Sequence, residues 1–180
     1  VKVKVLKEAS YEEALLGISL SYDQDVKDMP KVAKKLVHLG GSHAKFLESM
    51  VVWIDVIAPR YFHQQLDTYR AGVSKQSGST MHSITNRKLT QADFEAPIIP
   101  ATLDGLNKFI EVKDWRSVKI NLPEAFLQRR IICTNYKTLA RVYWQRKDHR
   151  LVEWQVFLKW VLQEIEHPEF ILEYGQNNRH

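Results

Sequence analysis

With a single cysteine, Cys133, the 180-residue chain has no internal disulfide framework. That suits a reducing compartment, and the apolar run RRIICTN around it predicts a buried, inert thiol. No stretch approaches the ~20 uninterrupted apolar residues of a membrane helix, and VKVKVLKEAS lacks the apolar region of a signal peptide. The expectation is a cytoplasmic protein with no membrane partner. Seven histidines are present, His38, His43, His63, His82, His149, His167 and His180. None falls in an H-x-H or H-E-x-x-H spacing and there is no second cysteine, so no metal site is expected. There is no G-x-S-x-G elbow, no Walker loop and no G-x-G-x-x-G. AGVSKQSGS has too few glycines, wrongly spaced, to cradle phosphate by that route. Internal repeats and low-complexity segments are also lacking.

What is there is the composition of a folded protein, 44% hydrophobic with 11% aromatic residues, long enough for one unit over residues 1–180 with a real core. The formal charge of +5 favours anionic partners, nucleotides and nucleic acid among them. The Lys and Arg residues are scattered rather than clustered.

VKVKVL alternates apolar and Lys residues, which predicts a strand with one buried face. Ser10 followed by Glu13 predicts a capping box before a helix over YEEALLGISL. Pro30 suits the first turn of a second helix, stopped at Gly40 and Gly41. ESMVVWIDVIAP reads as a strand ended by Pro59. From Pro59 to about Arg70, Tyr61, Phe62, Leu66 and Tyr69 recur at helical spacing, which leaves Gln65 and Arg70 off the buried stripe. A Ser/Gly/Gln loop follows, then an irregular stretch from His82 to about Ala101 that contains EAPIIPAT. LDGLNKFIEV is a short helix at best, RRIICTN a strand, and YKTLARVYWQRK a helix. RLVEWQVFLKWVLQEI is a strong helix with Leu151, Trp154, Leu158, Val161, Leu162 and Ile165 on one face.

Polar residues gather where these elements begin and end, where rigid neighbours can hold them toward a ligand. His43 and Glu48 precede the second strand; Gln65, Tyr69 and Arg70 end a helix; Ser74, Gln76 and Ser79 line the loop; Asn135, Lys137 and Arg146 flank the next helix.

In that order the segments resemble the flavin-dependent thymidylate synthases, the ThyX family. That family has H-x-x-P-F-E-H, a strand, AP, and a helix with R-Q-x-x-R-H-R running into x-x-S-x-N-x-x-S-x-R-Y. Here HAKFLES keeps His43 and Glu48, Ala58 and Pro59 follow, and Gln65 falls on the family's glutamine. Thr68, Tyr69 and Arg70 occupy the R-H-R triplet, of which only the last arginine survives. With one extra residue in the turn, Ser74, Gln76 and Ser79 fall on S, N and S, and Met81 and His82 replace the closing R and Y. Further on, Leu122, Pro123, Asn135, Leu139, Arg146 and Trp154 match, and Lys137 stands for an arginine.

The resemblance implies an α+β fold, a central mostly antiparallel sheet flanked by helices in one domain, assembled as a homotetramer with FAD bound between subunits. It implies transfer of a one-carbon unit from methylenetetrahydrofolate to dUMP or a related pyrimidine nucleotide, with NADPH reducing the flavin. It places His43, Glu48, Tyr69, Arg70 and Arg146 at the cofactor, Gln65, Ser74, Gln76, Ser79 and Lys137 at the nucleotide, and Ser79 nearest the chemistry. The short chain and altered motif suit a phage gene acting in its host's cytoplasm. Two other functions compete. One is an inactive relative that binds nucleotide or nucleic acid through Arg129, Arg130, Lys137, Arg141, Arg146, Lys147 and Arg150. The other is a structural oligomer that uses the 151–165 face as an interface.

Overall fold

Strand β1 (Lys2–Ala9) alternates as its sequence predicts, with Val3 and Val5 turned inward opposite Val56 and Ile54 of β2 (Val51–Pro59). A bulge then shifts the register between Val5 and Lys7, which leaves the extra residue, Leu6, on the surface at 48% exposure. Strand β4 (Leu127–Asn135) pairs antiparallel with β2, and a short edge strand β3 (Ser74–Ser77) pairs with β4, so the sheet order is β1-β2-β4-β3. The computed structural model describes residues 1–178; His180 lies outside the described residues.

One face of the sheet carries the core. Val52, Ile54, Val56 and Ala58 are fully buried there beside Ile132 and Thr134, and each large aliphatic contributes roughly 1.5–3 kcal/mol by leaving water. Helices α1 (Tyr11–Tyr22) and α2 (Met29–Leu39) add Ala14, Leu15, Ile18, Ala33 and Val37 to that core. So do α3 (Arg60–Leu66), α7 (Tyr136–Arg146), α8 (Val152–Glu164) and α9 (Glu169–Leu172). Trp154, Phe157, Leu158 and Val161 of α8 are buried inside the chain, which corrects the idea that this face is mainly an interface between subunits. The opposite face stays open: Trp53 is 39% exposed, and Cys133, directly across from it, is half-buried rather than enclosed. The run RRIICTN is a strand that alternates, with Ile132 and Thr134 inward and Ile131 and Cys133 outward, so the thiol sits on the open face.

Between β3 and β4 the chain forms a smaller lobe from α4 (Thr80–Ser83), α5 (Pro100–Glu111) and α6 (Trp115–Asn121) around Ile84, Leu89, Phe94, Leu106, Ile110, Val118 and Leu122. The proline-broken stretch before α5 is held by side chains acting as backbone partners. Asn107 bonds both the N–H and the carbonyl of Leu89 (2.8 and 3.0 Å), and Gln91 does the same for Ile98 (2.9 and 3.0 Å). Pro100 starts α5 at a position where its missing N–H costs nothing, so LDGLNKFIEV, all but its last residue, lies within a twelve-residue helix rather than a short one.

The capping box expected at Ser10 does not form. Ser10 is left-handed (φ 78°) and its hydroxyl makes no cap bond, because an N-cap side chain reaches the first turn only from an extended backbone. A capping box does occur at Thr90 and Asp93.

Buried His63 sets an acid limit on the fold. Its Nε2 lies 2.8 Å from the Gln128 carbonyl, an acceptor only, so Nε2 carries the proton and Nδ1 has no partner among the described residues. Burial first, with Arg130 and Lys75 adding to it, lowers the imidazole to about 4, while the Gln128 bond and Asp67 pull the other way. The folded state therefore resists protonation more than the unfolded chain. Stability from this residue is complete above pH ~6.5 and is lost as the pH falls through about 4, roughly 3 kcal/mol in all. Urea titrations at pH 7.5 and pH 4 should show a smaller difference for His63→Phe than for the parent chain; equal differences would remove His63 as the cause.

Candidate functional site

Helix α3 ends in a tight sequence of turns. The N–H groups of Asp67, Thr68 and Tyr69 bond the carbonyls of His63, Gln65 and Leu66 at 2.9, 3.2 and 3.2 Å, and the Thr68 hydroxyl donates to Gln65 O at 2.7 Å. These bonds satisfy the last helical carbonyls and carry Tyr69 inward, to 8% exposure, one turn beyond Leu66. Gly72 then passes against the start of α7 with φ 70°. A Cβ there would lie 2.6 Å from Thr138 Oγ1 and 2.8 Å from Asn135 Nδ2, so both the backbone angle and the close approach require glycine. Asn135 caps α7 through the Thr138 N–H (2.9 Å), while the Thr134 hydroxyl donates to Gly72 O (3.0 Å).

Thr138, Arg141 and Gln145 recur at three- and four-residue spacing on α7 and face this turn. With Thr68, Tyr69, Arg70, Ala71 and Arg146 they line an open pocket of about 310 Å³. The Tyr69 hydroxyl donates to Gln145 Oε1 and accepts from Arg146 Nε, both at 2.9 Å. The Arg146 guanidinium carbon lies 5.1 Å from the centre of the Trp154 ring and 5.6 Å from that of Tyr69. Trp154, fully buried, is itself fixed by donating Nε1–H to Gln65 Oε1 at 2.8 Å. Among the described residues none of Arg70, Arg141 and Arg146 has a carboxylate partner. Uncompensated guanidinium groups converging on one pocket attract an oxyanion, and phosphate matches their planar forks.

The other residues expected at a site lie elsewhere in the chain. Lys137 Nζ pairs with Glu48 Oε1 at 2.6 Å, and this bond holds the Glu48 carboxyl below the usual carboxylate range. His43 lines a groove of about 560 Å³ between α1, α2 and the Lys45–Glu48 turn, beside Tyr22, Lys45 and Phe46. Ser74 and Gln76 stand exposed on β3 opposite Cys133 and Ile131, on the open face of the sheet. That segment was expected as loop; pairing with β4 makes it a strand. Ser79 caps α4 by accepting from the His82 N–H at 3.3 Å, and no basic side chain bonds its hydroxyl among the described residues.

One chain thus brings together Gln65, Tyr69, Arg70 and Arg146, and holds His43, Glu48, Lys137, Ser74, Gln76 and Ser79 apart from them. Thr138 and Gln145 join the pocket with no motif to mark them, and so does Arg141, which the sequence offers only within the basic segment of the nucleic-acid alternative. Their spacing on one face of α7 was the available signal. Among the described residues no cluster of three or more His, Cys, Asp or Glu could hold a metal, and no helix is long and apolar enough to cross a membrane.

No protein-family model matches the sequence, and comparison with curated proteins finds no match. Solved structures do resemble it. A flavin-dependent thymidylate synthase ThyX from Helicobacter pylori, in complex with FAD and dUMP, superposes with a TM-score of 0.78 at 16% identity, over 95% of this chain and 98% of that one. A second structure of Helicobacter pylori ThyX with FAD and dUMP gives 0.79 at 16% identity over the whole of both chains. Four antiparallel strands with helices packed on one face, matched end to end, give this chain the fold of the ThyX thymidylate synthases.

Proposed function

We propose that the protein is a flavin-dependent nucleotide methylase of the ThyX type, acting on dUMP or a related pyrimidine nucleotide with methylenetetrahydrofolate and NADPH. The observation that carries the reading is the pocket of Arg70, Arg141 and Arg146, free of carboxylates, at the segment where the resemblance places cofactor and nucleotide contacts. FAD fits the chemistry of these residues in parts. Arginine forks suit a pyrophosphate, while the aromatic and polar groove of Tyr22, His43, Lys45 and Phe46 suits a flat heterocycle. At about 310 Å³ the arginine pocket takes a phosphate-bearing portion and not a whole dinucleotide. When bound, FAD supplies the redox step, and the protein supplies binding and electrostatics.

A homotetramer accounts for the scattered residues. Ser74, Gln76, Trp53 and Cys133 on the open sheet face are available to a second copy, which can set one chain's His43 and Glu48 beside another's arginines. Ser79, a capping residue with no base at its hydroxyl among the described residues, would hydrogen-bond to the nucleotide. The nucleic-acid alternative loses most of its basic segment to ion pairs. Arg129, Arg130, Lys137 and Lys147 are paired with Asp55, Asp67, Glu48 and Asp148.

The test is NADPH oxidation by the FAD-loaded protein with and without dUMP. The expected result is oxidation that depends on dUMP. Failure of dUMP and dCMP alike to stimulate it would overturn the assignment.

A further inference from the structure

Arg146 does not offer all its nitrogens to the pocket. Its Nε is taken by the Tyr69 hydroxyl at 2.9 Å, and its guanidinium carbon lies 5.1 and 5.6 Å from the centres of the Trp154 and Tyr69 rings. The terminal NH₂ groups have no partner among the described residues, and Arg146 lines the pocket together with Arg70 and Arg141. These two groups form the end-on fork of a guanidinium, the edge that grips two oxygens of one phosphate at once.

Tyr69 holds that orientation from the other side of the pocket. A phenol that accepts from an arginine must send its own proton elsewhere, and Gln145 Oε1 receives it at 2.9 Å. The resulting chain, Arg146 to Tyr69 to Gln145, ties the last turn of α7 to the turn after α3, and Trp154 beneath it is locked by Gln65. A free arginine loses rotamer freedom on binding; one already held at Nε has lost part of it before the ligand arrives.

We propose that Tyr69 and Gln145 form a strut that sets Arg146 for end-on, bidentate recognition of a phosphate group. Tyr69 is then a positioning residue that acts through Arg146, with its ring turned to Trp154 (6.0 Å between centres) rather than presented to a cofactor. This deepens the reading of the pocket as a nucleotide-phosphate site, but it depends on phosphate chemistry alone.

The probe is inorganic pyrophosphate, titrated calorimetrically into the parent chain, Tyr69→Phe, Arg146→Ala and the double variant Tyr69→Phe/Arg146→Ala. Tyr69→Phe keeps the ring and its packing, and it should bind about tenfold more weakly for the loss of one charge-assisted bond. Free guanidinium ion should restore binding to Arg146→Ala, where the Tyr69 hydroxyl still seats it, and not to the double variant. A purely structural role for Tyr69 would not produce that difference. Equal affinity in Tyr69→Phe and the parent, or equal rescue of both arginine variants, overturns the proposal, as does a parent chain indifferent to pyrophosphate. A parent chain that shows the expected pattern but retains no FAD supports the strut and overturns the flavin assignment instead.

Discussion

Trp154→Ala should lower the unfolding free energy by about 3–5 kcal/mol, the range for deleting a large aromatic side chain from a core. Trp154 has no exposed surface, and its ring centre lies 4.7 Å from that of Phe62 and 6.0 Å from those of Phe157 and Tyr69. Removing it opens a void between α3 and α8 that these rigid rings cannot close. It also leaves the half-buried Gln65 side-chain oxygen without its donor and Arg146 without a neighbouring ring. Stability and anion binding should therefore fall together. Trp160, 45% exposed on the outer side of the same helix, is the contrast, and Trp160→Ala should change stability by no more than ~0.5 kcal/mol. Urea denaturation of both variants checks the pair of expectations. Equal losses would mean that α8 is not anchored through Trp154.

Arg141→Ala should weaken binding of a nucleoside monophosphate by about 10- to 100-fold, with little change in stability, because the side chain has no carboxylate to lose. The effect should shrink as salt rises, since the pocket is open to solvent and its field is screened. Arg70→Ala should behave alike. Arg129→Ala and Lys147→Ala remove cations already paired with Asp55 and Asp148, and should leave binding unchanged. Titrations at two ionic strengths separate these cases. A uniform loss across all four variants would point to a diffuse basic surface in place of a site.

Strand β1 was legible from sequence because its apolar and Lys residues alternate, and β2 and β4 from their runs of β-branched and aromatic residues. So was α8, whose large apolar residues repeat at helical spacing. Strand β3 was not. SKQS contains no apolar residue, and only its pairing with β4 makes it a strand. The small lobe was hidden for a related reason: Asn107 and Gln91 do work usually done by backbone ladders, and that leaves no periodic trace.

At the site, Gln65, Tyr69, Arg70 and Arg146 could be named from the order of motifs. Gln145 could not, and Arg141 only as one of a basic segment for nucleic acid, because an arginine and a glutamine on a helix surface look the same whether they face water or a turn from α3. The pairing of Lys137 with Glu48 joins two residues far apart in the chain, and only the fold makes it visible.

The most direct test of the flavin reading is size-exclusion chromatography of the protein mixed with FAD, following flavin absorbance and molar mass across the same peak. Flavin should co-elute with a four-chain species, and Arg146→Ala should lose it. Flavin eluting free from a monomeric protein would contradict it.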